Sequence, residues 1–124
     1  EIQQVEFQDR LNKMDQKDFG VVFAGWGPDY DDPMTFLDLW VTDGGNNHTS
    51  WSNAEYDECV AKALVEADAD KRMEYLKRCE EIIATEFPVG VIYERNRSYL
   101  TSERLHGVIR NAFSDIDLTK AYTK

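Results

Sequence analysis

The residues best suited to chemistry are Trp26-Gly27-Pro28-Asp29-Tyr30-Asp31-Asp32-Pro33, a dense run of acids, aromatics and turn formers. An Asp held on a turn between two aromatics can fix a cation, because partial burial lowers the local dielectric and strengthens an ammonium–carboxylate contact. Asp29, flanked by Trp26 and Tyr30, is the candidate anchor, with Gly27 beside it. The competing reading is structural: Asp32 caps a helix that starts at Pro33, and the other acids are merely solvated.

Other chemistries fare worse. Asp29, Asp31, Asp32 and Asp38 could supply a glycosidase carboxylate pair, but such density is expected in so acidic a chain. A calcium loop would begin at Asp29 and Asp31 and is broken by Pro33 and Met34. Gly44-Gly45 lacks the Lys that follows a phosphate loop, and no Ser or Cys sits in a nucleophile motif. The expectation is therefore no enzyme, no cofactor and no metal. His48 and His106 read as solvated residues. Asn47-His48-Thr49 and Asn96-Arg97-Ser98 match the glycosylation tripeptide, a pattern that also recurs by chance.

The elements that must position Asp29 follow from periodicity. Phe7, Leu11 and Met14 draw one stripe of an amphipathic helix between Val5 and Gln16. Residues 19–25, with Val21, Val22 and Phe23 at the centre, read as a strand covered on both faces. That places Asp29 beyond its carboxyl end, where open α/β sheets bind ligands. A short helix should run from Met34 to about Val41, and Gly44 to Asn47 should form a flexible loop. Ser52 and Glu55 read as a capping box for a helix striped by Tyr56, Val60, Ala63, Leu64 and Ala67. Met73, Leu76, Cys79, Ile83 and Phe87 stripe its partner, the two forming a hairpin that turns at Asp68 to Asp70. Pro88 closes the second helix, and Val89 to Tyr93 resumes a buried strand. Ser98 to Thr101 and Leu105 to Arg110 read as short strands, and the pattern from Ala112 onward is indeterminate.

Cys59 and Cys79 would come level across that hairpin, so they are candidates for a disulfide. The alternative is two buried thiols acting as small core residues.

The chain of 124 residues carries a formal net charge of -10, which disfavours nucleic acid and anionic membranes as partners. Its longest apolar runs fall well short of the ~20 residues that span a bilayer. It begins at Glu1 with no signal-type segment, so the expectation is a piece cut from a longer polypeptide.

The block Ala24 to Leu37 resembles the carboxyl-terminal part of the oligopeptide- and dipeptide-binding proteins of ABC importers, solute-binding protein family 5. Further matches are Gly45-Asn46-Asn47, Trp51-Ser52-Asn53-Ala54-Glu55-Tyr56-Asp57, Asp70-Lys71-Arg72 and Phe87-Pro88-Val89-Gly90-Val91-Ile92-Tyr93. The resemblance implies an α/β fragment of a type II periplasmic-binding-protein fold: a second-lobe βαβ sheet with a helical hairpin over residues 1–94, and a crossover toward the first lobe over residues 95–124. It implies extracytoplasmic binding of a peptide or other small solute, delivery to a membrane permease, and a parent that is either free or lipid-anchored. It further implies that Asp29 holds the α-amino group of the peptide, with Trp26, Gly27 and Tyr30 around it. Phe23 stands where some members carry a basic residue, so no contact to a peptide carboxylate is implied there. Exposure of the face meeting the first lobe would favour self-association. The rival expectation is an acidic helical-hairpin interaction domain without a small-molecule ligand.

Overall fold

In the computed structural model, which describes residues 1–111, 113 and 115–124, the fold is organised by the hairpin of two helices. Helix α3 runs Ala54–Val65 and helix α4 runs Ala69–Glu86. Each starts where a side chain can take up free backbone amides. Asn53 Oδ1 accepts from the Tyr56 N–H at 2.9 Å, and Asp68 Oδ1 accepts from the amides of Asp70 and Lys71, both at 3.0 Å. The cap of α3 is thus Asn53 rather than Ser52. Glu55, expected to reach back to Ser52, instead accepts from Arg78 Nε of α4 at 2.8 Å, an ion pair across the hairpin outcompeting the local box. The turn between the helices lies at residues 66–68. Helix α4 ends at Phe87, which adopts the left-handed region at φ 54 and returns its N–H to the Ile83 carbonyl at 2.9 Å, with Pro88 barring continuation.

The helices are antiparallel: Asn53 at the start of α3 donates from Nδ2 to Glu86 at the end of α4, at 2.6 Å. Their facing stripes bury Tyr56, Cys59, Val60 and Ala63 against Leu76, Cys79 and Ile82. The stripes are rotated slightly from expectation. Leu64, Met73 and Phe87 are exposed, and Ile82 takes the deep position expected of Ile83. Short helix α2, Met34–Leu37, and the 3-10 turn Asp38–Trp40 close the core from one side, with Met34, Leu37 and Leu39 buried. The buried Tyr56 hydroxyl donates to the Leu37 carbonyl, satisfying a polar group that the core would otherwise strand. Every buried hydrophobic among the described residues lies between Met34 and Ile82.

The two expected strands form no ladder. Segment 19–25 is unpaired, with Val21 95% and Phe23 61% exposed, and residues 89–93 likewise lack a strand partner, with Val91 85% exposed. A strand buried on both faces needs neighbouring strands for its backbone groups and helices above and below. The described residues supply neither around these segments. The segments do lie side by side: the Phe23 and Tyr93 rings stack with centroids 6.4 Å apart. Helix α1, Phe7–Asp15, forms where expected, but of its stripe only Leu11 and Met14 are partly covered and Phe7 is exposed. Its Arg10 guanidinium donates from Nη1 to the Phe23 carbonyl at 3.0 Å.

The tail holds an antiparallel ribbon. Strand β1, Leu105–His106, pairs with β4, Tyr122–Thr123, and β2, Ile109–Arg110, pairs with β3, Ile116–Asp117. The expected strand over Leu105 to Arg110 is therefore real but broken at Gly107. There φ is +74, and an added Cβ would sit 2.1 Å from the Lys120 carbonyl oxygen. Ser98 to Thr101, expected as a strand, forms none. The indeterminate tail includes Ala112, which lies outside the described residues.

Candidate functional site

The loop carrying Asp29 is held from three directions. The Asp29 N–H donates to Oγ1 of Thr35, a buried residue of α2, at 3.0 Å. Asp32 Oδ1 accepts from the Met34 N–H at 2.8 Å, which is the cap expected from the Asp-Pro pair. Arg72, in the first turns of α4, closes the arrangement. Its Nη2 donates to Asp32 Oδ1 at 2.8 Å and its Nη1 forms an ion pair with Asp32 Oδ2 at 2.8 Å, while its Nε donates to the Ala63 carbonyl at 3.0 Å. One planar guanidinium thus ties the loop to both core helices, a geometry that Lys could not supply. The hydrogen bond from Arg72 holds the Asp32 carboxyl below the usual carboxylate range, burial opposing and the Met34 amide assisting.

That division of labour separates the acids. Asp32 is consumed in structure, as the capping reading requires. Asp29 is exposed, and its carboxylate enters no ion pair among the described residues. The Tyr30 hydroxyl donates to Asp38 Oδ2 at 3.3 Å, and its pKa is raised, first by burial and then by the Asp38 charge. Trp26 and Tyr30 are 46% and 43% exposed, a half-open placement suited to covering a ligand rather than filling a core. Nothing approaches within 4 Å of where a Gly27 Cβ would be, so the backbone there is open to an approaching molecule.

A shallow depression of about 420 Å³ adjoins the loop, lined mainly by apolar groups of Pro28, Tyr30, Pro33, Phe36 and Phe113, with Asp31, Asp32 and Thr35. Tyr30 lines it, whereas Trp26, Gly27 and Asp29 do not, so the four candidate residues are neighbours on one loop rather than walls of one cavity.

A second depression, about 280 Å³ and polar, lies between Asp15, Lys17, Gly44, His48, Trp51 and their neighbours. His48 Nδ1 stands 3.6 Å from Asp15 Oδ1 there, so this loop histidine faces an acid rather than open solvent. The loop was expected to be flexible, yet Asn47 is buried. Its Nδ2 donates to the carbonyls of Trp40, Val41 and Trp51 at 3.3, 3.1 and 2.8 Å, and Oδ1 accepts from Thr49 Oγ1 at 2.8 Å. A side chain so engaged has no room for a glycan. Among the described residues no cluster of three His, Cys, Asp or Glu could hold a metal ion, and no helix is long and apolar enough to cross a membrane.

Sequence reasoning missed Thr35, Asn47 and Arg72 as the residues that hold the loops. Nothing in local periodicity singles out Thr35, but a basic residue in the first turn of α4 was a signal: it sits against the helix dipole and so implies a specific anionic partner.

No family model matches the chain. Comparison with curated proteins finds the oligopeptide-binding protein OppA of Bacillus subtilis, 34% identical over 100% of this chain and 23% of that protein. It also finds the periplasmic murein peptide-binding protein MppA of Escherichia coli, 27% identical over 93% of this chain and 21% of that protein. Among solved structures, Listeria monocytogenes OppA bound to peptide superposes with a TM-score of 0.77 at 32% identity, over 98% of this chain and 23% of that one. The chain therefore spans about a quarter of the length of these relatives. The similarity in structure bears out the α/β fold class and the helical hairpin expected from the sequence.

Proposed function

We propose that this chain, a relative of the oligopeptide-binding proteins of peptide ABC importers, forms the part of a solute-binding protein that grips the amino end of a peptide. The observation that carries the reading is the Asp29 carboxylate: exposed, in no ion pair with a Lys or Arg among the described residues, and presented on a loop clamped through Thr35 and the Asp32–Arg72 pair. Such a carboxylate pairs with the α-ammonium of a peptide once a closing cleft excludes water. Trp26 and Tyr30 flank the ammonium, and the open backbone at Gly27 lets the peptide main chain approach.

In this reading residues 1–94 belong to the second lobe, and residues 95–124 lead toward the first. The relatives are binding proteins, and the function is capture without catalysis. Lobes closing by a hinge hold an extended peptide through main-chain hydrogen bonds, and the closed form presents it to a membrane permease. The location is extracytoplasmic, in keeping with the periplasmic relative. The rival reading, an interaction domain built on the acidic hairpin, has only the net charge of -10 in its favour.

Calorimetric titration of a tripeptide into a protein of the relatives' length carrying this chain tests the proposal. Asp29→Ala should weaken binding by on the order of 2–5 kcal/mol, the loss of a desolvated ion contact. An N-acetylated peptide should bind equally poorly to both forms. Unchanged affinity in Asp29→Ala removes Asp29 from the site.

A further inference from the structure

The clamp and the candidate site leave two nucleophilic groups unused, the thiols of Cys59 and Cys79. Both are free and buried, 9% and 0% exposed, and both belong to the core cluster that joins α3 to α4. They lie at matching levels of the antiparallel hairpin, between the Asn53–Glu86 contact at one end and the Ala63–Arg72 contact at the other, and share one core cluster. Ala63, one turn beyond Cys59, is fully buried, a small side chain on the face that α3 turns to α4. Helix axes commonly lie ~8–10 Å apart, too far for many cross-links, whereas small residues at the crossing bring Cα atoms toward the distance a disulfide requires.

We propose that Cys59 and Cys79 are an intramolecular cross-linking site, oxidised to a disulfide when the chain folds in the presence of a disulfide-bearing oxidant. In the first step the thiolate of the less buried Cys59 attacks one sulfur of the oxidant's disulfide, forming a mixed disulfide and releasing one oxidant thiolate. In the second, Cys79 gives its proton to solvent and attacks the Cys59 sulfur, expelling the other oxidant thiolate. The two cysteines surrender two electrons and two protons, and the oxidant's disulfide becomes a dithiol.

Timing follows from burial. In the folded core burial pushes the Cys79 thiol up to about 12, with Cys59 beside it adding to the rise, and burial followed by Glu55 raises Cys59 as well. Such thiols are poor nucleophiles at neutral pH. The bond therefore forms as the hairpin assembles and is slow to form afterward. Once made, it closes residues 60–78 into a loop and restricts the unfolded chain. This inference borrows from the proposed function only the compartment in which the oxidant is met, and its chemistry stands or falls separately.

The test refolds the denatured chain in a buffer of reduced and oxidised glutathione, quenches with acid, denatures, and labels with a maleimide before mass spectrometry. The expected product is a monomer lighter by two hydrogens, bearing no maleimide and no glutathione. A chain labelled at both cysteines, retaining glutathione at Cys59, or linked into dimers overturns the proposal. Adding the same buffer to chain already folded in reductant should give a markedly slower loss of labelling, one that quickens as pH rises. Cys59→Ser should abolish the product, and should that variant fail to fold, the wild-type labelling decides alone.

Discussion

Arg72 and Asp32 are joined by a hydrogen bond from Nη2 to Oδ1 and an ion-pair contact from Nη1 to Oδ2, each 2.8 Å, although α4 and the site loop lie far apart along the chain. The pair converts a flexible acidic turn into a platform, because the same guanidinium also holds the Ala63 carbonyl at 3.0 Å. Replacing Arg72 with Ala should destabilise the chain by about 1.5–3 kcal/mol, the range for hydrogen bonds to charged groups. Lys at this position should recover only part of the loss, since it cannot reproduce the planar fork. Urea denaturation of the three forms measures both effects.

The same pair sets a pH dependence. The Asp32 carboxyl is depressed in the folded state, so its contribution is fully present above the ordinary carboxylate pKa and disappears as pH falls through the lower folded value. Stability measured from neutral pH downward should fall less steeply in Asp32→Asn than in the parent chain. Parallel curves would show that the pair does not titrate with folding.

Asn47 should prove more costly to lose than its place in a Gly-rich loop suggests. Asn47→Ala leaves the carbonyls of Trp40, Val41 and Trp51 without a shared donor, a cost on the order of 3 kcal/mol for groups this sheltered. A thermal denaturation midpoint within error of the parent's would place the loop's order elsewhere.

Gly107→Ala separates the ribbon from the core. The new Cβ would press on the Lys120 carbonyl at 2.1 Å in a left-handed backbone conformation, so β1 and β4 should part. Hydrogen exchange at Tyr122 and Lys124 should accelerate while amides of α3 and α4 stay protected. Accelerated exchange in both regions would show that ribbon and hairpin unfold as one unit.

Phe23 and Tyr93 stack on each other but leave Val21, Val91 and Ile92 exposed on segments with unused backbone groups. We propose that the chain by itself associates through this face, as unpaired apolar strands do. Light scattering should show mass rising with concentration, and Val91→Lys should suppress it. A strictly monomeric chain at high concentration would retire the idea.

The helical hairpin was legible in the sequence because a helix satisfies its own backbone hydrogen bonds: the spacing of Tyr56, Val60 and Ala63, and of Leu76 and Cys79, suffices to mark which faces meet. The Asp32 cap before Pro33 was legible for the same reason, since its partners lie within a few residues. Strands are different. The apolar runs at residues 19–25 and 89–93 were read as buried strands and form neither a ladder nor a buried face, because whether such a segment becomes a sheet depends on partners that its own residues do not specify. Tertiary structure alone decided how the charge of Asp32 is paired. Its local partner, the Met34 amide, could be expected from the Asp-Pro pair, but Arg72 arrives from α4, because ion pairing is fixed by distance in space rather than along the chain.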